Sequence, residues 1–577
     1  MTFRGVPSIF KARCASNLNP QMKNSQEFEQ RFYRSKMLHL NGDLIGAKAY
    51  CESLIADYPR QVPLMQMLGW IKAQLGEWAD AVEILSDAIE IDKKNQQSYY
   101  ILGNIMCKFE SWEGGIECYR TTLSIDPLHF EAACNLGNAY LELNQVEEAL
   151  ASYDLTIRIK PHYAEAYSNR GNALRKLDRL EEALISYESA IAVEPNFAQA
   201  YLNRGVTMQA INRFEEAIDC YDKAISIRAD YVEAITNRGT ALVALNRIEE
   251  SIESYNQAIK ARPDYADAYW NKSLALLISG NFEQGWNLYE YRWDGNKSAS
   301  QKRKFRQPLW LGEESIIGKR ILLHAEQGLG DTIQFCRYAK LLKGRAERVI
   351  LEVQQPLVAL FESFSGIDEV IERGKPLPSF DYHCPLLSLP YAFKTQIKNI
   401  PSQSSPYIST EHVKRQKWNQ KLGEKKMPRV GIVWRGSVNH KNDKNRSIAL
   451  NDLVSYLPPE FEYVSLQKEI NEHERQTLKA SSIKNHGESL IDFTDTASIC
   501  DLMDLIISVD TSVIHLAAAM GKNTWLMLPF APDWRWMLDR IDSPWYPSIT
   551  IYRQGADLSY GPVLERIRGD LIEEYGG

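Results

Sequence analysis

The sequence predicts two folds in one chain: an α-helical solenoid, followed by an α/β region made of two lobes with parallel sheets. Three observations predict this. A 34-residue period runs through the first half, and short apolar runs alternate with helical patterns in the second half. A polar, basic segment at 395–427 divides that second half. The predicted boundaries are an N-terminal tail at 1–24, repeats at 25–297, a first lobe with its linker at 298–427, and a second lobe at 428–577.

Small residues define the register of the repeats. Glycine or serine stands at every thirty-fourth position, and a second small residue follows each one after twelve positions. The first set is Ser35, Gly69, Gly103, Gly137, Gly171, Gly205, Gly239 and Ser273. We expect each pair of small residues to let the two helices of a helix–turn–helix unit approach closely. Proline then ends the second helix in five units because it lacks the backbone N–H donor. These prolines are Pro59, Pro127, Pro161, Pro195 and Pro263.

The period and the small positions resemble those of the tetratricopeptide repeat, whose units stack into a curved solenoid with a concave groove. Two residues before the small position, five consecutive units have an asparagine. They are Asn135, Asn169, Asn203, Asn237 and Asn271. One interpretation is that these amides hydrogen-bond neighbouring turns. The interpretation that we favour is that they face the groove and bind an extended peptide. This ladder is similar to the one that holds substrate polypeptide in O-GlcNAc transferases. A scaffold that binds a helper protein is the alternative for the whole array.

Six apolar runs are the predicted strands of the α/β half. They are 320–325, 348–353, 429–434, 461–466, 505–509 and 524–528. We expect them to form two Rossmann-like lobes with a cleft between them. Ligands of open parallel sheets bind at the carboxyl ends of the strands, so the residues that directly follow these runs are the candidate site.

The first candidate segment is the glycine turn at 324–332, HAEQGLGDT. Gly328 and Gly330 allow a tight bend and a close approach of the backbone to a ligand, and the start of the next helix favours an anion. The turn is neither a dinucleotide fingerprint nor a phosphate-binding P-loop, because Ile333 replaces the third glycine and no Gly-Lys-Ser/Thr follows. An ordinary strand–helix turn is the alternative.

Three further segments follow strands of the second lobe. The segment 433–446 contains several cations that suit a diphosphate, with a solvated basic loop as the alternative. Gln467 and Lys468 follow the next strand. Asp510 and Thr511 stand where we expect them to cap a helix, and His515 lies one turn later. This last segment predicts a phosphate site of helix N–H groups, a hydroxyl and an imidazole. A capped, well-packed core helix is the alternative.

The pattern Asp510-Thr511-x-x-x-His515-Leu-Ala-Ala-Ala-x-Gly521 resembles the signature of glycosyltransferase family 9, the heptosyltransferase-like enzymes. The segments 439–446, 530–536 and 542–547 are similar to those of its repeat-fused bacterial members. The resemblance implies a GT-B fold, in which the second lobe binds most of the nucleotide-sugar. It also implies an inverting transfer that needs no metal and no other cofactor. Independently, no Asp-x-Asp pair occurs after residue 298, so the usual carboxylate clamp for a donor-bound metal is missing.

The resemblance also implies roles for individual residues. Asp331 matches the general base that takes a proton from the acceptor hydroxyl. His324 and Glu326 are alternative bases, because this loop is longer and more glycine-rich than the simple form of the family. The candidate donor-binding residues are Gly328, Gly330, Arg435, Lys441, Arg446, Gln467, Lys468, Asp510, Thr511, Ser512 and His515. No residue is predicted to bind a metal.

These observations predict a glycosyltransferase that modifies a Ser or Thr side chain of a polypeptide captured by the repeats. The architecture resembles O-GlcNAc transferases and the repeat-containing flagellin glycosyltransferases, and this resemblance implies a protein or peptide acceptor such as a flagellin-like chain. One alternative is a glycan or lipopolysaccharide transferase that its repeats recruit to an assembly. The other is a non-catalytic scaffold with a degenerate GT-B domain.

Composition excludes several other classes. The 577 residues contain 67 basic and 74 acidic side chains, a net charge of −7, which disfavours a nucleic-acid reader. No run approaches the roughly 18 apolar residues of a membrane-spanning helix. Nine cysteines without a Cys-x-x-Cys pair argue against a disulfide framework and a zinc site, and they fit a reducing compartment. We therefore expect a cytoplasmic protein that binds a nucleotide-sugar and a polypeptide.

Overall fold

The computed structural model describes residues 20–295, 302–401, 406–437 and 442–576. Sixteen helices in eight consecutive pairs occupy the repeat region, as the period predicts. Their bounds are α1 Pro20–Leu40, α2 Leu44–Asp57, α3 Val62–Gln74, α4 Trp78–Ile91, α5 Gln96–Lys108, α6 Trp112–Ile125, α7 Phe130–Glu142, α8 Val146–Ile159, α9 Ala164–Lys176, α10 Leu180–Val193, α11 Ala198–Ala210, α12 Phe214–Ile227, α13 Val232–Ala244, α14 Ile248–Ala261, α15 Ala266–Ile278 and α16 Phe282–Tyr289.

The turn inside each pair contains one residue in the left-handed backbone conformation. Its φ lies between 58° and 85° at eight positions spaced 34 residues apart. They are Gly42, Gly76, Glu110, Asn144, Asp178, Asn212, Asn246 and Gly280. Seven of the eight are glycine, asparagine or aspartate, the residues that adopt this conformation most readily. The predicted prolines follow the second helices directly: Pro161, for example, stands two residues after the end of α8.

The small residues of the register allow close packing between the helices of a pair, as expected. A Cβ added to Gly171 would lie 2.5 Å from the ring carbon Cε1 of Tyr187, which is fully buried. Four other pairs repeat this contact at the same spacing of sixteen residues: Gly103 with Tyr119, Gly137 with Tyr153, Gly205 with Tyr221, and Gly239 with Tyr255. A larger residue at these glycines would therefore meet a tyrosine ring that has no room to move.

The α/β region follows the repeats. Its strands are β1 Arg320–His324, β2 Arg348–Val353, β3 Glu369–Glu372, β4 Tyr382–Pro385, β5 Arg429–Val433, β6 Glu462–Ser465, β7 Lys484–Asn485, β8 Leu505–Val509, β9 Thr524–Leu528 and β10 Ile549–Arg553. Its helices are α17 Leu329–Phe335, α18 Ala339–Leu342, α19 Val358–Phe361, α20 Leu389–Ala392, α21 His412–Leu422, α22 Asp443–Arg446, α23 Leu450–Ser455, α24 Glu472–Ala480, α25 Phe493–Asp501, α26 Ser512–Ala519 and α27 Gly561–Tyr575.

The strands form two parallel sheets, which confirms the predicted fold class. The first sheet has the order β3-β2-β1-β4, and the second has the order β10-β9-β8-β5-β6-β7. All six strands predicted from apolar runs are present: β1, β2, β5, β6, β8 and β9. Four further strands, β3, β4, β7 and β10, extend the sheets at their edges. Two parallel sheets of this kind are consistent with the two lobes of a GT-B fold.

The chain divides into two compact units after Arg228. The last two helix pairs, α13 to α16, therefore share a unit with the α/β region, whereas the change of sequence pattern lies near residue 297. In that unit the ring of Trp286 in α16 packs edge-on against Trp534 and Trp545 of the second lobe, with centroids 5.2 and 6.5 Å apart. The final repeats and the α/β region thus contribute to one hydrophobic core.

Candidate functional site

A cavity of about 580 Å³ lies at the carboxyl ends of strands from both sheets. Its walls come from the glycine turn after β1 and from the segments after β5, β6, β7, β8 and β9. Eleven of the predicted site residues line it: Gly328, Gly330, Asp331, Arg435, Arg446, Gln467, Lys468, Asp510, Thr511, Ser512 and His515. Residues that are up to 187 positions apart in the chain therefore meet in one cleft, because the carboxyl ends of parallel strands share an edge of the sheet.

The glycine turn forms the wall of the cavity contributed by the first lobe. Asp331 lies in the first turn of α17, and its Oδ2 accepts a hydrogen bond of 2.8 Å from the backbone N–H of Gly328. Gly330 faces the imidazole of His515 so closely that an added Cβ would lie 2.7 Å from Cδ2. A side chain at position 330 would therefore displace the histidine, which explains why the turn needs a glycine there.

Arg535 connects the two lobes across the cavity, and it was not among the predicted site residues. Its guanidinium forms an ion pair with Oδ1 of Asp331 and a second ion pair of 2.8 Å with Asp533. Its Nε donates to Oε1 of Gln334 at 2.8 Å. The side chain is only 8% exposed, and its carboxylate neighbours raise its pKa against the opposing effect of burial. Arg535 thus holds the carboxylate of Asp331 in place at the edge of the cavity.

His515 lies at the back of the cavity and is almost completely buried. Its Nδ1 is 3.0 Å from the hydroxyl of Tyr546, and its Nε2 is 3.7 Å from Oδ1 of Asp510. Its ring stacks on Trp536 with a centroid distance of 5.3 Å. Burial, together with the positive charges of Arg535 and Arg337, lowers the pKa of His515 well below its usual value. The imidazole is therefore neutral and can act as a hydrogen-bond donor through only one nitrogen.

Asp510 and Thr511 stand directly before α26, but they do not cap it in the predicted way. Thr511 occupies the N-cap position, yet its side chain makes no capping hydrogen bond, and its Oγ1 is 3.4 Å from Oγ of Ser508. The first N–H groups of the helix thus have no side-chain cap. Burial and the nearby charge of Asp533 raise the pKa of Asp510 to about 6, against the opposing effects of Trp536, Arg446 and Arg535.

The cations of the second lobe are held in place by backbone and carboxylate groups. Arg446 donates from Nη1 to the carbonyl of Asp510 at 2.8 Å, which brings it to the start of α26. Arg435 donates from Nε to Glu474 at 2.6 Å, while its buried Nη1 has no partner within the described residues. Lys468 donates to the carbonyl of Ile491 at 3.0 Å. These three side chains supply positive charge on the same wall of the cavity.

The neighbouring Gln467 contributes a buried polar atom to the cavity. Its Oε1 accepts no hydrogen bond from the residues that the structure describes. A buried acceptor without a partner is costly, so this atom and Nη1 of Arg435 are available for a polar ligand. The predicted Lys441 lies outside the described residues.

The structure does not bring His324 and Glu326 to the cavity. His324 is buried, with Nε2 3.3 Å from Nδ1 of His383, and burial lowers its pKa well below the usual value. Glu326 accepts two hydrogen bonds of 3.0 Å from Arg292, which follows α16, and a third of 3.1 Å from the backbone of Leu387. Both side chains thus contact partners inside the fold rather than the cavity, and Asp331 alone of the three candidate bases lines the cavity.

The five asparagines of the ladder all lie in the first helix of a pair: α7, α9, α11, α13 and α15. Asn135 and Asn169 donate from Nδ2 to the asparagine thirty-one positions earlier, in the preceding repeat, at 2.9 and 3.2 Å. Asn203 is buried, and its Nδ2 is 3.4 Å from Oγ of Ser168. The amide nitrogens of these three residues therefore connect neighbouring repeats, as one of the two interpretations expects.

The described part of the chain has neither a membrane-spanning helix nor a cluster of metal ligands. No helix there is long and apolar enough to cross a lipid bilayer. Likewise, no group of three or more His, Cys, Asp or Glu side chains among the described residues has an arrangement that could hold a metal ion.

Several protein-family models match the repeats. Models described as TPR repeat or tetratricopeptide repeat match residues 118–151, 137–178, 171–212, 198–231 and 239–278. Together with the eight helix pairs, these matches identify the array as tetratricopeptide repeats, followed by an α/β region with two parallel sheets.

One similar curated protein is Protein FlbA of Caulobacter vibrioides, which is 25% identical over 306 residues. The match covers 47% of this chain and 49% of FlbA, so the chain spans about half the length of that relative.

Similar solved structures include MamA, with 24% identity and a TM-score of 0.28, which covers 30% of this chain and 94% of MamA. YrrB, described as a TPR protein with an unusual peptide-binding site, has 22% identity and a TM-score of 0.29, covering 33% of this chain and all of YrrB. A tetratricopeptide repeat protein from Parabacteroides merdae has 17% identity and a TM-score of 0.36, covering 44% and 99%.

Proposed function

We propose that this protein is an inverting, metal-independent glycosyltransferase of the GT-B type. It moves a sugar from a nucleotide-sugar donor to a Ser or Thr hydroxyl of a polypeptide that the repeats bind. The acceptor is a protein or peptide, such as a flagellin-like chain.

The observation that supports this proposal most directly is the composition of the cavity at the start of α26. Backbone N–H groups of the first helical turn have no intrahelical partners, and they favour an anion. Arg435, Arg446 and Lys468 supply positive charge on the same side. A nucleoside diphosphate needs this combination of oriented N–H donors and cations, most of all when it leaves with an additional negative charge.

The reaction follows from this charge distribution. The acceptor oxygen attacks C1 of the sugar, the bond from C1 to the phosphate oxygen breaks, and its electron pair goes to the departing nucleoside diphosphate. Attack on the face opposite to the leaving group inverts the configuration at C1. The proton of the acceptor hydroxyl goes to the carboxylate of Asp331, which Arg535 holds in place. The side chains at the start of α26 stabilise the charge on the leaving group.

Capture of the acceptor is assigned to the asparagine ladder. Among the described residues, the hydrogen bonds of Asn135 and Asn169 use the amide nitrogen and leave Oδ1 to accept from a peptide N–H. A bond between repeats also orients each amide, which lowers the entropy lost when a peptide binds.

Thermal unfolding with a panel of UDP-, GDP-, ADP- and CMP-sugars tests the donor site. One donor should raise the melting temperature of the parent and of Lys479→Gln, which removes a positive charge from the last turn of α24, away from the cavity. The same donor should have little effect on Arg446→Gln. If no donor stabilises the parent, or if Arg446→Gln is stabilised equally, the proposed donor site is wrong.

A second experiment separates the two acceptor classes. Mass spectrometry after incubation with donor and polypeptide should show one sugar mass on Ser or Thr. Alanine at Asn169, Asn203 and Asn237 together should weaken polypeptide capture and leave hydrolysis of the donor intact. Transfer to a glycan or lipid acceptor, with none to polypeptide, would instead favour the lipopolysaccharide-type enzyme. Equal loss of capture and hydrolysis would indicate a purely structural ladder.

A further inference from the structure

The hydrogen-bond partners of His515 determine which of its two nitrogens has the proton. In one tautomer the proton is on Nε2, and Nδ1 accepts from the hydroxyl of Tyr546 at 3.0 Å. In the other, Nδ1 donates to the same oxygen, and the lone pair of Nε2 faces Oδ1 of Asp510 at 3.7 Å. The second arrangement places two acceptors against each other. The first places an N–H against a carboxylate, which is electrostatically favourable.

A buried cation behind Tyr546 disfavours the second tautomer further. Arg337 is completely buried and donates from Nη2 to the hydroxyl oxygen of Tyr407 at 2.8 Å. Tyr407 in turn donates to the carbonyl of Ile333 at 3.2 Å and lies 3.5 Å from the hydroxyl of Tyr546. If Nδ1 of His515 were the donor, the hydroxyl proton of Tyr546 would have to point towards the hydroxyl oxygen of Tyr407, 3.5 Å away. That oxygen already accepts a hydrogen bond from the positively charged Arg337. The imidazole nitrogen at 3.0 Å is the better acceptor.

We propose that Tyr546 is a positioning residue, which keeps the proton of His515 on Nε2 and so directs an N–H donor into the cavity. There the N–H donates to a phosphate oxygen of the ligand. This last step depends on the proposed function, whereas the choice of tautomer does not. The role also explains why a neutral histidine suits this position. Its Nδ1 accepts a hydrogen bond from Tyr546, and this bond fixes the orientation of the ring.

Long-range proton–nitrogen NMR correlation of the full chain, labelled with nitrogen-15 in histidine, tests the tautomer directly. His515→Gln identifies the signal. We expect Nε2 to have the proton in the parent and in Tyr338→Phe, which removes a buried hydroxyl that contacts Thr395 and not His515. In Tyr546→Phe the Nδ1-protonated form should become populated. A proton on Nδ1 in the parent, or an unchanged tautomer in Tyr546→Phe, would overturn the proposal, and the parent spectrum decides alone if that variant does not fold.

Titration with inorganic pyrophosphate tests the consequence for ligand binding. Its affinity should fall about tenfold in Tyr546→Phe, the size expected for loss of one hydrogen bond to a charged group, and stay unchanged in Tyr338→Phe. Equal affinity in the parent and Tyr546→Phe would overturn the assigned contact with phosphate. If pyrophosphate does not bind the parent, the proposed donor site fails, and the NMR result still decides the role of Tyr546.

Discussion

Replacing Arg292 with methionine should destabilise the unit that starts at Ala229 by a large amount. Arg292 follows α16, and its Nε and Nη2 each lie 3.0 Å from the carboxylate of Glu326. The side chains are 2% and 6% exposed, so the pair is shielded from water. Arg292→Met leaves the carboxylate buried without a counter-charge, which typically costs about 3–5 kcal/mol of unfolding free energy.

Urea unfolding followed by tryptophan fluorescence is a suitable assay, because Trp286 and Trp534 lie in the hydrophobic core that the last repeats and the α/β region form together. Arg292 also pairs with Glu290 at 2.7 Å, but that carboxylate is 19% exposed and can be hydrated. The double variant Arg292→Met, Glu326→Leu removes the two most deeply buried charges and should recover most of the loss, since apolar replacement of buried ionic partners is often neutral or stabilising. Arg179→Met breaks an exposed ion pair with Glu182 and should change stability little.

A loss below about 1 kcal/mol in Arg292→Met would refute the reasoning, because it would place Glu326 in contact with water. So would a double variant that is less stable than the single one. Either result would also reopen Glu326 as a candidate base, since its position away from the cavity depends on this pair.

Three further predictions concern packing, pH and metal. Gly171→Ala forces a methyl group against Tyr187 and should cost about 1–3 kcal/mol, whereas Gly569→Ala, in an open part of α27, should gain about 0.5–1 kcal/mol in urea unfolding. The pKa of Asp510 is raised to about 6, so its contribution to stability is complete below about pH 4 and is lost as the pH rises through about 6. Asp510→Asn should remove that part of the decline in a pH series of unfolding curves. Finally, EDTA should leave sugar transfer unchanged, and a loss that Mg²⁺ or Mn²⁺ restores would contradict metal independence.

The strands that the sequence predicts and those that it misses differ in their place in the sheet. Central strands such as β5, β8 and β9 are buried at every residue, so they read as continuous apolar runs. The four missed strands all lie at sheet edges. The edge strand β7 has two exposed residues, and β3 has only two apolar residues, which lie between two glutamates. These two strands have one paired side only, and their sequences contain too weak an apolar signal to predict them.

The same contrast applies to the candidate site. His515 and Asp510 could be predicted because they follow a buried strand within one short segment. Arg535 could not be assigned a role, although the segment 530–536 had a family resemblance, because its partner Asp331 is 204 residues away. Glu326 lies next to the glycine turn in sequence, but Arg292 turns it away from the cavity. Long-range ion pairs have no local pattern, and here they decide which carboxylate lines the cavity.

The last repeats also determine the geometry of the cavity within their unit. Asn246, in the left-handed turn between α13 and α14, donates from Nδ2 to the carbonyl of Phe530 at 2.9 Å. Trp286 packs on Trp534, the neighbour of Arg535. The loop that contains Arg535, the ion-pair partner of Asp331, thus contacts the repeats. On the opposite wall of the cavity, Arg292 binds Glu326 at the start of the glycine turn. Both walls of the cavity thus contact side chains from the repeats or from the segment that directly follows them, so the end of the array helps to shape the cavity.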